Sequence, residues 1–110
     1  VLLAFSVNLL AQAGAIAALD ALDEIQTLVD SLLNERARVV DGLRSTGADF
    51  PDPQGNFVWL PIGASTDSVA HALEQRGVVV RPFSGEGIRV TIGTPEENDR
   101  FLAAYAAVIA

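Results

Sequence analysis

This 110-residue sequence predicts an α+β fold: a small antiparallel or mixed three-stranded sheet covered by helices, with long helices at its N-terminal end. Three observations lead there. Helical patterns fill the first 45 residues, three short strand-like runs bounded by Pro and Gly follow, and the connections between them have lengths that favour a sheet with helices on one face. With half its residues apolar, a chain of this size forms one domain that buries roughly two thirds of its unfolded surface.

From Leu9 to Leu19 nearly every residue is apolar, and six of the eleven residues 11–21 are Ala, which favours a helix with no polar face. Such a helix needs cover on most sides, either from another domain or subunit or from this domain's own core. A second helix spans about Ala21 to Ser45, with Leu22, Ile25, Leu28, Val29, Leu32, Leu33, Val39, Val40 and Leu43 returning every three or four residues. Asp20, Asp23 and Glu24 near its start and Arg36, Arg38 and Arg44 towards its end suit the helix dipole, and Gly47 is a natural stop. The loop Asp49–Asn56 leads to a strand Phe57-Val58-Trp59-Leu60 closed by Pro61. Ser65-Thr66-Asp67 can cap a third helix to about Gln75. Gly77 then turns the chain into a strand Val78–Arg81, and residues Pro82 to Gly87 connect it to a strand Ile88–Ile92. Thr94-Pro95-Glu96-Glu97 opens the last helix with a Thr cap, Pro at the first helical position and Glu three residues after the cap.

A formal charge of −7, with seven basic residues all Arg against fourteen acidic ones, opposes binding to a phosphate backbone, so nucleic acid is no partner. Without Cys there is no disulfide, thiolate metal site or cysteine nucleophile. The opening apolar stretch ends in Ala11-Gln12-Ala13 but lacks the positive n-region of a signal peptide, and Asn8, Gln12 and Asp20 interrupt it before membrane-spanning length. Cytoplasm is the default location. The start at Val1 without Met suits a fragment, and processing gives the same start.

Arg89 is the leading candidate for chemistry. On a strand, Ile88, Val90 and Ile92 face one side while Arg89 and Thr91 face the other. A guanidinium grips a carboxylate or phosphate bidentately; an exposed strand arginine paired with an acidic neighbour is the competing account. His71, the only histidine, has no His, Cys or carboxylate spacing for a metal and reads as a surface residue. Trp59 reads as core or domain-interface packing, and Glu96, Glu97 and Asp99 as acids at a helix start.

Four segments in this order resemble fold-type-I pyridoxal phosphate (PLP) aminotransferases, in the branch of histidinol-phosphate and aromatic amino acid aminotransferases. They are Phe5-Ser6-Val7-Asn8 with Leu10-Ala11-Gln12-Ala13, Pro53-Gln54-Gly55-Asn56-Phe57, Gly77-Val78-Val79-Val80-Arg81-Pro82-Phe83, and Gly87-Ile88-Arg89-Val90-Thr91-Ile92-Gly93-Thr94-Pro95-Glu96-Glu97-Asn98. Ala4 stands where the family usually has Pro, and Gly55 where Ala is common. The resemblance implies that residues 1–110 are the C-terminal small domain, with 1–20 leading in from a large domain that holds PLP through a lysine. The enzyme would be a homodimer transferring an amino group between an aromatic amino acid and a 2-oxo acid, or using histidinol phosphate. Arg89 would bind the substrate carboxylate or phosphate. Arg81 would help with its distal group, or be a solvated strand-end arginine, and Asn56 would touch substrate or organise its turn. With no lysine here, a Schiff base is impossible and this piece alone should be inactive. A non-catalytic small-ligand or regulatory domain using Arg89, and a purely structural assembly domain, are the alternatives from other classes.

Overall fold

The computed structural model describes residues 9–110, which fall into two compact units divided between Ser31 and Leu32. The Phe5–Asn8 motif and the Ala4 departure lie outside the described residues. In the first unit, α1 (Leu9–Asp20) leads into α2 (Leu22–Ser45). The hydrogen-bond ladder runs on through Ala21, whose N–H donates to Ala17 O at 3.1 Å and whose carbonyl accepts from Ile25 N–H at 2.9 Å. Ile16, Leu19, Leu22, Ile25, Leu28 and Val29 are all exposed, Leu28 at 70%. Within the second unit the apolar row of this helix enters the core at Val39, Val40 and Leu43, with Leu32 packed partly against it.

The second unit contains the rest of α2 and β1 (Phe57–Leu60), a 3₁₀ turn (Gly63–Ser65), α3 (Thr66–Gln75), β2 (Arg81–Phe83), β3 (Gly87–Thr91) and α4 (Pro95–Ile109). The sheet is antiparallel in the order β1-β3-β2. Val58, Leu60, Ile88 and Val90 point from it into a core built with Val39 and Leu43 of α2, Leu73 of α3, and Phe101 and Tyr105 of α4. Complete burial of a side chain such as Leu43 contributes about 1.5–3 kcal/mol.

Two strands differ from the sequence expectation. The expected strand Val78–Arg81 is displaced to Arg81–Phe83, and β3 begins one residue early, at Gly87. The cause is a tight hairpin in which Gly85 takes φ 77° and Glu86 N–H bonds to Phe83 O at 2.8 Å, a conformation that favours glycine. Pro82 is accommodated because β2 is an edge strand, where a missing N–H costs no interior ladder bond. The expected cap of α3 is also replaced. Ser65 has helical backbone angles and makes no side-chain cap bond, and the preceding 3₁₀ turn takes over that role. At the junction both the backbone N–H and the Oγ1 of Thr66 donate to Gly63 O, the latter at 2.6 Å.

α2 organises the second unit through its arginines. Arg44 pairs with Asp52 and lies 5.2 Å above the Phe50 ring, and Arg36 donates to Gly55 O at 3.1 Å, so both hold the loop that enters β1. Arg38 reaches Glu35 at 2.6 Å, Asp99, and Pro95 O at 3.2 Å. The start of α4 carries the full capping box expected of Thr94 and Glu97. Beside it Asn98, 4% exposed, closes a staple. Its Oδ1 accepts from Gly93 N–H at 2.9 Å while its Nδ2 donates to Gly93 O at 3.0 Å and to Glu35 Oε2 at 2.9 Å. The chain leaving β3 is thus tied to both α4 and α2.

Candidate functional site

Strand alternation gives the sheet a second face, which the helices of this unit leave uncovered. Register sets its side chains in three rows: Phe57 opposite Thr91, then Trp59, Arg89 and Arg81 side by side, then Gly87 opposite Phe83. Arg89 is half-buried on the central strand and Arg81 exposed on the edge. The two candidate arginines are therefore direct cross-strand partners. Like charges in that position are destabilising by themselves, and among the described residues neither guanidinium is in an ion pair. The competing account of Arg89 requires an acidic partner, and none pairs with it among the described residues.

Aromatic rings supply what support the two arginines have. Arg89 Cζ lies 5.6 Å from the Phe57 ring centre and Arg81 Cζ 5.5 Å from that of Phe83, contacts worth about 0.5–1 kcal/mol each at exposed sites. Both leave the guanidinium fork free for an oxyanion. Trp59 meets Phe83 edge-on, at 5.6 Å between centroids and 72° between planes. It is half-buried on the open face, opposite to the face that forms the core. Phe57, Phe83 and Gly87 were not singled out by sequence reasoning. The available signal for Phe57 is the period of two, which sets Phe57 and Trp59 on the side away from Val58 and Leu60.

Asn56 immediately precedes β1, and its side chain is exposed. Its carbonyl accepts from Ile92 N–H at 2.7 Å, extending the β1–β3 pairing by one bond, so its observed work is in the backbone. His71 is exposed on α3, in a cleft of about 200 Å³ shared with Asp67, Glu74 and Val80, away from the arginine rows. Among the described residues no group of three His, Cys, Asp or Glu could hold a metal. No helix among them is long and apolar enough to cross a membrane. The acids at the start of α4 are structural: hydrogen bonds from the Thr94 backbone N–H and then its side chain hold the Glu97 carboxyl below its usual range, and Asp99 pairs with Arg38.

A face offering two guanidiniums without an ion pair among the described residues, each beside an aromatic ring, has the chemistry to bind a carboxylate or phosphate. The family profile described as aminotransferase class I and II matches residues 3–104. An aromatic amino acid aminotransferase of Streptomyces coelicolor is 56% identical over 98 residues, and one of Mycolicibacterium smegmatis 50% identical over 99. Each match takes in 89% of this chain and 27% of the relative, so the chain spans about a quarter of the length of these proteins. Among solved structures, a candidate aminotransferase of Burkholderia pseudomallei superposes with a TM-score of 0.74 at 33% identity, over 83% of this chain and 29% of that one. An aspartate aminotransferase variant of Thermus thermophilus, complexed with tryptophan, shares the fold with a TM-score of 0.63 at 22% identity, over 78% of this chain and 25% of its own. With the profile spanning most of its length and relatives about half identical to it, this chain belongs to the class I and II aminotransferase family.

Proposed function

We propose that this chain is the substrate-gripping small domain of a cytoplasmic PLP-dependent aminotransferase that passes an amino group between an aromatic amino acid and a 2-oxo acid. The observation that carries the reading is the Arg81–Arg89 pair, two like charges side by side with no counter-charge among the described residues. Both substrates of such a reaction carry the carboxylate that would complete the pair. That the Streptomyces and Mycolicibacterium relatives are aromatic amino acid aminotransferases favours an aromatic amino acid. No observation favours histidinol phosphate over it.

In this reading Arg89 holds the α-carboxylate bidentately, which fixes the amino acid in position and orientation. Phe57 packs beside the guanidinium and reduces its access to water, which strengthens the ion pair. Arg81 adds positive potential from the edge strand, and Asn56 holds the end of β1 against β3. The family works through PLP in general, but this chain contains no lysine. Its residues do not fit a covalently held cofactor, so we assign PLP to a part of the parent enzyme outside this chain and expect the chain alone to be inactive. The exposed apolar row from Ile16 to Val29 is assigned to contact with the large domain of the same polypeptide or with the second subunit of a homodimer.

The test is Arg89→Ala in the full-length parent enzyme. Loss of a charge-assisted bidentate pair is expected to weaken amino-donor binding roughly ten- to a hundredfold, with the visible absorbance of the bound cofactor unchanged. Equal loss of donor and cofactor binding would count against the role. Titrating the unmodified enzyme with L-phenylalanine and, separately, histidinol phosphate decides the donor: a spectral response to histidinol phosphate alone would move the assignment to that substrate.

A further inference from the structure

Two arginines explain how a carboxylate is held on the open sheet face, but not how one side chain is chosen over another. The three rows of that face are about 6.7 Å apart, two residues of strand rise, and the middle row leans both ways along it. Arg89 turns towards Phe57. Trp59 turns towards the opposite row, where its indole meets the Phe83 ring edge-on and lies over Gly87. Gly87 makes room for that ring, since a Cβ there would stand 2.8 Å from Trp59 Cζ2 and run into the Leu60 carbonyl oxygen. Seated between bare backbone and an aromatic edge, the indole is fixed before any ligand arrives, and it is still partly exposed on the side that carries Arg89.

Resting on the functional reading above, we propose that Trp59 is the specificity-determining residue of the site. A substrate whose carboxylate is gripped by Arg89 lays a flat apolar side chain against the indole, about one row along the sheet. Gly87 and Phe83 hold the indole ready for it. Aromatic pairs gain more than the apolar area they bury, and an indole seated in advance avoids the ordering cost of binding. An aliphatic side chain of one carbon would not reach it.

The experiment compares L-phenylalanine with L-alanine as amino donor in the full-length parent enzyme. In Trp59→Leu, kcat/KM for phenylalanine should fall roughly tenfold relative to that for alanine, mainly through KM because ring contact is made in the ground state as well. Trp59→Phe keeps a ring on the Gly87 seat and should restore most of the preference. An unchanged phenylalanine-to-alanine ratio in both variants, with normal cofactor absorbance, overturns the proposal. Arg89→Ala measured in parallel separates the two readings. If it loses both donors while the Trp59 variants keep their selectivity, the carboxylate assignment stands and only Trp59 leaves the site. If it binds both donors normally, the functional reading fails and the proposal with it.

Discussion

Replacing Asn98 by Ala removes three hydrogen bonds from the junction of β3, α4 and α2, and their separate values give the expected loss. The two bonds to Gly93 join neutral groups, for which about 1 kcal/mol each is typical. Gly93 is exposed, so water can take over its N–H and carbonyl, and both count at the low end. The bond to Glu35 involves a carboxylate, where roughly 1.5–3 kcal/mol is usual, but Glu35 keeps Arg38 as its main partner. A net loss of about 2 kcal/mol follows. For a domain of roughly 60–100 residues, each kcal/mol lowers Tm by about 4–8 °C, so Asn98→Ala should melt about 8–16 °C below the unmodified chain when followed by circular dichroism. Asn98→Asp keeps the acceptor for Gly93 N–H but faces Glu35 with a second carboxylate, and should be at least as destabilising at neutral pH. A drop of less than about 3 °C for Asn98→Ala would mean that water replaces the staple without loss, and would refute the reasoning.

Stability should also fall in acid in a way that Glu35 reports. Hydrogen bonds from Arg38 and then Asn98 hold its carboxyl below the usual value of 4.5, and Thr94 does the same for Glu97. A depressed folded-state value means that the contribution is complete above 4.5 and is lost as pH drops from there through the lower folded value. Urea midpoints should hold steady from about pH 7 to 5 and then decline, and Glu35→Gln should flatten that decline; an identical decline in the variant would contradict the assignment. Gly87→Ala should cost about 1–3 kcal/mol by overpacking, because the added carbon meets backbone at Leu60 as well as the Trp59 ring. Unaltered urea unfolding of that variant would show that β1 and β3 can move apart freely.

Local chemistry made much of this architecture legible. The run Phe57–Leu60 announces β1 by apolar content between Gly and Pro, and Thr94-Pro95-Glu96-Glu97 announces α4 because a capping box is written within four residues. Arg89 could be placed on the face away from Ile88 and Val90 by alternation alone. The position of β2 could not, because Val78-Val79-Val80 has higher strand propensity than Arg81-Pro82-Phe83 and only the Gly85 turn decides which run pairs with β3. That same register brings Arg81 opposite Arg89, so the pairing that defines the site was invisible while the strand was misplaced. The Asn98 staple joins residues up to 63 apart in sequence, and no local pattern encodes such a contact. Periodicity likewise shows that the helix carrying Leu22 to Val29 has an apolar side, but not what covers it.

The confrontation of Arg81 with Arg89 also links this domain's stability to the salts around it. Two cations in one register pair work against the native state until an anion joins them, and any ligand that binds the folded form alone stabilises it by mass action. A hundredfold excess over the dissociation constant yields about 2.7 kcal/mol. Phosphate, citrate or another small carboxylate should therefore act as a folding ligand, raising the melting point of a protein whose net charge of −7 would suggest indifference to anions. Under the role proposed for Arg89 the same ions would compete with substrate in the full-length parent enzyme, so a buffer that protects that enzyme in storage would inhibit it in an assay.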